Sequence, residues 1–174
     1  MKKIAVLFSN GTEEIEALTP VDVLRRAGVE CEIVSVCGQF PVGSHAITVK
    51  ADKLIENIEF NDYDGVVIPG GLPGAQIIAD NERAQKMVKD FIDCKKLVAS
   101  ICAAPALVLG TKGLVDGKKV TCYPADAFIE LLKNAHYTGA DVEVDKNIIT
   151  ANGPKSAFKF SLAICEYLGL EPKF

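Results

Sequence analysis

Short apolar runs alternate with longer amphipathic stretches along the whole chain, and this alternation constrains the fold more than any other feature of the sequence. The segments Ile4–Phe8, Cys31–Val36, Gly65–Ile68, Leu97–Ile101, Lys119–Thr121 and Ile148–Ala151 have strand length and are largely apolar. Between them, Thr12–Ala27, Asn81–Asp93, Ala103–Leu109, Ala125–Leu132 and Lys155–Leu168 carry helical spacing, and Gly28 supplies a stop for the first. Val42–Val49 and Val142–Asp145 read as hairpin or edge pieces. Strands alternating with helices predict an α/β fold with a mostly parallel sheet and helices on both faces. No repeat, low-complexity tract or Pro/Gly/Ser linker interrupts the pattern, so residues 1–174 are expected to form one domain.

Several function classes fit poorly. Nineteen basic residues against twenty-three acidic ones give a net charge of −4 without any basic run, so no nucleic-acid footprint is indicated. No apolar stretch approaches the ~20 residues of a membrane span. The run Ile4–Phe8 after two lysines is too short for the ~7–15 residues of a signal-peptide core. Six cysteines (31, 37, 94, 102, 122, 165) form no C-x-x-C pair, and only His45 and His136 could assist them, which argues against zinc. Free thiols point to a reducing compartment, the cytoplasm. No G-x-G-x-x-G or Walker pattern follows a strand, and the acids Glu13 and Glu14 at the first helix start would repel a phosphate.

In a sheet of this kind ligands gather beyond the carboxyl ends of the strands. Cys102 stands there, between the run ending at Ile101 and a helix opened by the small residues Ala103, Ala104 and Pro105. Unpaired backbone N–H groups at such a turn favour a thiolate and predict a lowered thiol pKa. The position is the cysteine counterpart of a nucleophile elbow. Cys122 also follows a strand end and is an accessory candidate, whereas the other cysteines read as small core residues.

The first helix adds a second group. Glu16 shares a stripe with Pro20, Val23 and Ala27, which puts its carboxyl on the apolar side. Burial there would raise its pKa toward neutrality and leave it able to donate a proton to a neighbouring thiolate. Pro20 clashes with the carbonyl of residue 16, so either the helix kinks or Thr19 caps a new one. Gly70 and Gly71, after Gly65–Ile68, form a turn whose amides could steady an oxyanion.

Taken together, the chain resembles the ThiJ/PfpI superfamily, in the branch containing the parkinsonism-associated protein deglycase and its bacterial relatives. The resemblance is carried by Gly11-Thr12-Glu13-Glu14-Ile15-Glu16, Pro20–Gly28, Tyr63–Gly71, Gly74-Ala75-Gln76, Ile101–Pro105, His136-Tyr137-Thr138 and Gly153-Pro154. It implies a flavodoxin-like three-layer sandwich, a homodimer, and no metal or organic cofactor. It also implies that Cys102 is the reactive cysteine, Glu16 its protonated partner, and Gly70, Gly71 and Ala103 the oxyanion or substrate-binding positions. Glu13, Asp22 and His45 match interface positions of related chains. The activities it implies are conversion of glyoxals to hydroxy acids, repair of early glycation adducts, and response to oxidants.

Two departures bear on those activities. Tyr123 stands where glyoxalase members often carry histidine, and a phenol of pKa ~10 does not readily relay protons at neutral pH. Ala103 replaces the histidine that follows the cysteine in the protease-like branch, which argues against a peptidase. Three readings stay open: a glyoxalase or deglycase acting on small reactive aldehydes, a redox sensor whose Cys102 takes up oxygen without turnover, and a binding module with an incidental cysteine.

Overall fold

In the computed structural model, which describes residues 1–174, the first apolar run becomes β1 (Lys3–Phe8) and the first amphipathic stretch α1 (Glu14–Arg26). Then come β2 (Glu30–Ser35), a short β3 (Lys53–Leu54), β4 (Gly65–Ile68), α2 (Gly74–Asp80), α3 (Glu82–Asp93) and β5 (Leu97–Ile101). The chain closes with β6 (Lys119–Val120), α4 (Asp126–Leu131), β7 (His136–Tyr137), β8 (Val142–Asp145), β9 (Ile148–Ala151) and α5 (Ala157–Leu168). The main sheet has seven strands in the order β3-β2-β1-β4-β5-β9-β8. All its pairings are parallel except the β8–β9 hairpin, in which Val142 lies opposite Ala151.

Apolar runs became central strands because both faces of the sheet are covered, so no polar side is needed. On one face Val6, Val67 and Ala99 pack with Ala17 and Leu24 of α1 and Phe160 and Ile164 of α5. On the other, Ala5, Val66 and Val98 pack with Ile78 of α2, Met87 and Phe91 of α3, and the segment after Cys102. This is the α/β arrangement that the pattern anticipates and the flavodoxin-like sandwich that the resemblance implies. No helix is long and apolar enough to cross a membrane.

The structure revises several local expectations. Residues 74–80, assigned to no element from the sequence, form α2. Lys119–Thr121 does not join the main sheet; β6 pairs only with β7, in a separate parallel ladder. Val42–Val49 contributes a single antiparallel bridge between Val42 and Thr48 rather than a hairpin. The segment expected as a helix over Ala103–Leu109 winds as a wide π-type turn over Pro105–Leu109. At Pro20 α1 continues unbroken, so Thr19 caps nothing. The N-terminal cap is Glu13, whose Oε2 accepts the Glu16 N–H at 2.9 Å.

Candidate active site

Cys102 ends β5 in a sharp reversal. Its N–H donates to the Ala151 carbonyl at 2.9 Å, one step beyond the β5–β9 ladder, and its own carbonyl accepts the Tyr123 N–H at 2.8 Å. Held from both sides, the residue adopts φ = +66°, a left-handed conformation that side-chain-bearing residues rarely take. The reversal is that of a nucleophile elbow. The thiol is half-buried, and the amides of Ala103 and Gly71 face its sulfur.

Glu16 reaches the same point from the first turn of α1. It is 0% exposed, and neither carboxyl oxygen has a full hydrogen bond. Its polar neighbours are the Cys102 thiol and the Gly70 amide. Burial pushes its pKa up to about 8, so the carboxyl is protonated at neutral pH. The apolar stripe in the sequence anticipated the burial of this side chain.

The thiol behaves differently from the sequence expectation. Burial raises Cys102 above its free value, an ionised Glu16 raises it further, and the amides of Ala103 and Gly71 only partly offset this. The two groups titrate as one system, in which a single proton can serve both. With that proton on Glu16, the repulsion disappears and the carboxyl O–H becomes a donor toward sulfur. Both groups are raised above their free values, so an attacking thiolate would form within this pair, with the amides of Gly71 and Ala103 facing it.

The two glycines of the β4 loop make this proximity possible. A Cβ on Gly70 would lie 2.7 Å from the Cys102 Cβ and 2.8 Å from Glu16 Oε1. Gly71 has φ = +88°, and a Cβ there would strike the Glu13 amide. The Glu13 N–H in turn donates to the Gly70 carbonyl at 3.1 Å, fastening the loop to the start of α1.

The remaining candidates sit at the margin. Tyr123 touches the site through its backbone, while its ring is 46% exposed and lies beside Gly153. It lines a hollow of about 680 Å³ with Asn152, Gly153, Pro154 and Lys155. Cys122 is fully buried in the core on the α2–α3 face, and its thiol donates to the Tyr123 carbonyl at 3.3 Å. Sequence reasoning missed Ala151, which holds Cys102 through a main-chain carbonyl and carries no side-chain signal.

It also missed the role of Glu14. Burial alone would raise this carboxyl, but the His45 N–H (2.8 Å), the Ile47 N–H (3.3 Å) and the His45 ring hold it lower. Glu14 thereby clasps the 42–47 loop over the start of α1. Glu13, Glu14 and His45 bring their ligand atoms within 4.8 Å of one another. The Glu14 oxygens are already taken by the loop, and Glu13 caps the helix, so the cluster reads as a clasp.

Comparison with known proteins places this geometry. "Parkinson disease protein 7 homolog" of Danio rerio is 36% identical over 96% of this chain and 89% of its own length. The Arabidopsis thaliana proteins "Protein DJ-1 homolog B" and "Protein DJ-1 homolog A" are 40% and 38% identical, and the chain spans only 38% and 43% of their lengths. Among solved structures, "Toxoplasma gondii DJ-1, oxidized" superposes with a TM-score of 0.92 at 40% identity, over 97% of this chain and 91% of that one. Drosophila melanogaster DJ-1beta gives 0.90 at 32% identity, over 96% and 90%. The profile described as DJ-1/PfpI family matches residues 2–167. With an elbow cysteine, a buried glutamic acid and a paired-glycine loop arranged on that fold, the chain belongs to the DJ-1/PfpI family.

Proposed function

We propose that this protein is a cysteine-dependent, cofactor-free enzyme acting on glyoxal-type aldehydes or their early adducts. The observation that carries the reading is the fully buried Glu16 carboxyl, protonated at neutral pH and set beside the half-buried sulfur of Cys102. A carboxyl without an ion pair, set beside the sulfur, is placed to give a proton in carbonyl addition.

In this mechanism the Cys102 thiolate attacks the aldehyde carbon. The S–C bond forms, the C=O π pair moves onto oxygen, and the amides of Gly71 and Ala103 steady that oxygen until Glu16 protonates it. The Glu16 carboxylate then removes the hydrogen from the same carbon, and the electron pair moves toward the adjacent carbonyl to give an enediol. The hydroxyl on the sulfur-bearing carbon then gives up its proton, which passes by way of Glu16 to the adjacent carbon, and its C–O bond becomes C=O, leaving a thioester. Water cleaves it, forming a C–O bond while sulfur leaves as thiolate, so the sum is glyoxal plus water to hydroxy acid. Purified protein should convert methylglyoxal to lactate, with Cys102→Ala and Glu16→Gln each at least about 100-fold slower. Turnover by the wild type no faster than by Cys102→Ala overturns the reading.

A second reading is an oxidant-responsive protein whose Cys102 is converted to sulfenic or sulfinic acid without turnover. A specific observation favours it: the Toxoplasma structure superposed above is described as oxidized. The thiolate would take one oxygen from peroxide as the O–O bond breaks, with the Glu16 proton leaving on the departing oxygen as water. We also propose, from the family, a homodimer, and from the free cysteines a cytoplasmic setting. Sedimentation at micromolar protein checks the former.

A further inference from the structure

The end of the sheet opposite Cys102 carries an unassigned concentration of positive charge. The loop after α3, the segment before β6, the β8–β9 turn and the last turns of α5 enclose a hollow of about 460 Å³. Its walls include Lys95, Lys118, Lys146, Asn147 and Tyr167, and no carboxylate lines it. None of these lysines makes an ion pair, although six others in the chain do. Two neighbouring acids are engaged elsewhere: Asp93 with Lys89 at 2.6 Å, and Asp145 with the Lys119 N–H at 2.9 Å. A chain of net charge −4 thus leaves three like charges unneutralised around one hollow.

The backbone makes the arrangement more telling. Lys95 follows α3 with φ = +57°. The Lys96 N–H reaches the Phe91 carbonyl at 2.8 Å and the Lys95 N–H the Ile92 carbonyl at 3.1 Å, a Schellman ending in which glycine is the favoured residue at position 95. Lys146 opens the two-residue turn between Asp145 and Ile148 with φ = +56°, again a position suited to glycine. Two unrelated turns each keep a lysine where the backbone prefers glycine, and both lysines line the same hollow.

We propose that this hollow binds a compact polyanion carrying two or more phosphate groups. Its volume lies within the range of small-molecule sites, about 300–1,000 Å³. Lysine ammonium groups suit phosphate as point charges, and relief of their mutual repulsion would stabilise the folded state on binding. The ligand is either a bare oligophosphate or a nucleoside diphosphate whose base lies on Tyr167, which is 41% exposed.

The test is isothermal titration at low salt, with inorganic tripolyphosphate and with ADP as probes. Tripolyphosphate should bind the wild type, and the triple variant Lys95→Gln, Lys118→Gln, Lys146→Gln should bind at least about tenfold more weakly. A control variant, Lys86→Gln, Lys112→Gln, leaves the Lys89–Asp93 pair intact and alters another surface hollow that also contains carboxylates, and should bind like the wild type. If Tyr167→Ala weakens ADP severalfold and leaves tripolyphosphate unchanged, the ligand is a nucleotide; if it changes neither, it is the bare oligophosphate. Absence of binding to the wild type, or equal loss in the control variant, overturns the proposal. Neither result depends on methylglyoxal turnover, so the two functional readings fail separately.

Discussion

Glu16 is the residue through which chemistry and stability are coupled. Its carboxyl titrates near 4.5 when solvated and at about 8 in the fold. Between those values the folded chain holds a proton that the unfolded chain has lost. Stability from this group is complete below pH 4.5 and falls as pH rises, by up to about 1.4 kcal/mol per pH unit, until pH 8. Glu16→Gln keeps the shape and cannot ionise. Denaturant titrations from pH 5 to 8 should show the variant gaining on the wild type by a total on the order of 3 kcal/mol. Parallel curves would mean that Glu16 is ionised throughout. The spacing of the apolar stripe made the burial of this acid legible in the sequence. That it meets a thiol was not legible from spacing, because their approach depends on the absence of a side chain at Gly70, a contact made only once β4 and β5 lie side by side.

At the scale of elements, long or fully apolar segments were legible and short or paired ones were not. β1, β4, β5 and β9 stood out because burial on both faces demands unbroken apolar runs. α2 was hidden because it is short and opens on Pro73-Gly74, a pair that signals a turn. The β6–β7 ladder was hidden because two residues pairing with two others leave no periodicity. Turn chemistry supplies an element-scale prediction. Lys95→Gly and Lys146→Gly relieve left-handed backbone at the end of α3 and in the β8–β9 turn. Each should raise stability by about 0.5–1 kcal/mol in urea titrations while weakening polyanion binding. A loss of stability at both sites would show that the lysine stems contribute more than the backbone costs.

For the molecule as a whole, the six thiols fall into three classes of burial that report different events. Cys31, Cys122 and Cys165 are buried, Cys37 and Cys102 are half-buried, and Cys94 is exposed. Burial also raises the pKa of Cys31 to about 12 and of Cys122 to about 11, which suppresses their thiolates. Alkylation under native conditions should label Cys94 readily and leave the buried three untouched until global unfolding, with a midpoint matching that of the far-ultraviolet signal. Under mild peroxide, mass spectrometry should find oxygen on Cys102 ahead of the more exposed Cys94 if the partnership with Glu16 is functional. Equal uptake at both would count against the oxidant reading.

The left-handed backbone at Cys102 has a consequence for how such a chain can change over generations. Glycine would relax that reversal and make the protein easier to fold, yet it would remove the sulfur. Selection for robustness alone would thus tend to erase the thiol, and a descendant without the need for it would be free to drift into a quieter and sturdier scaffold.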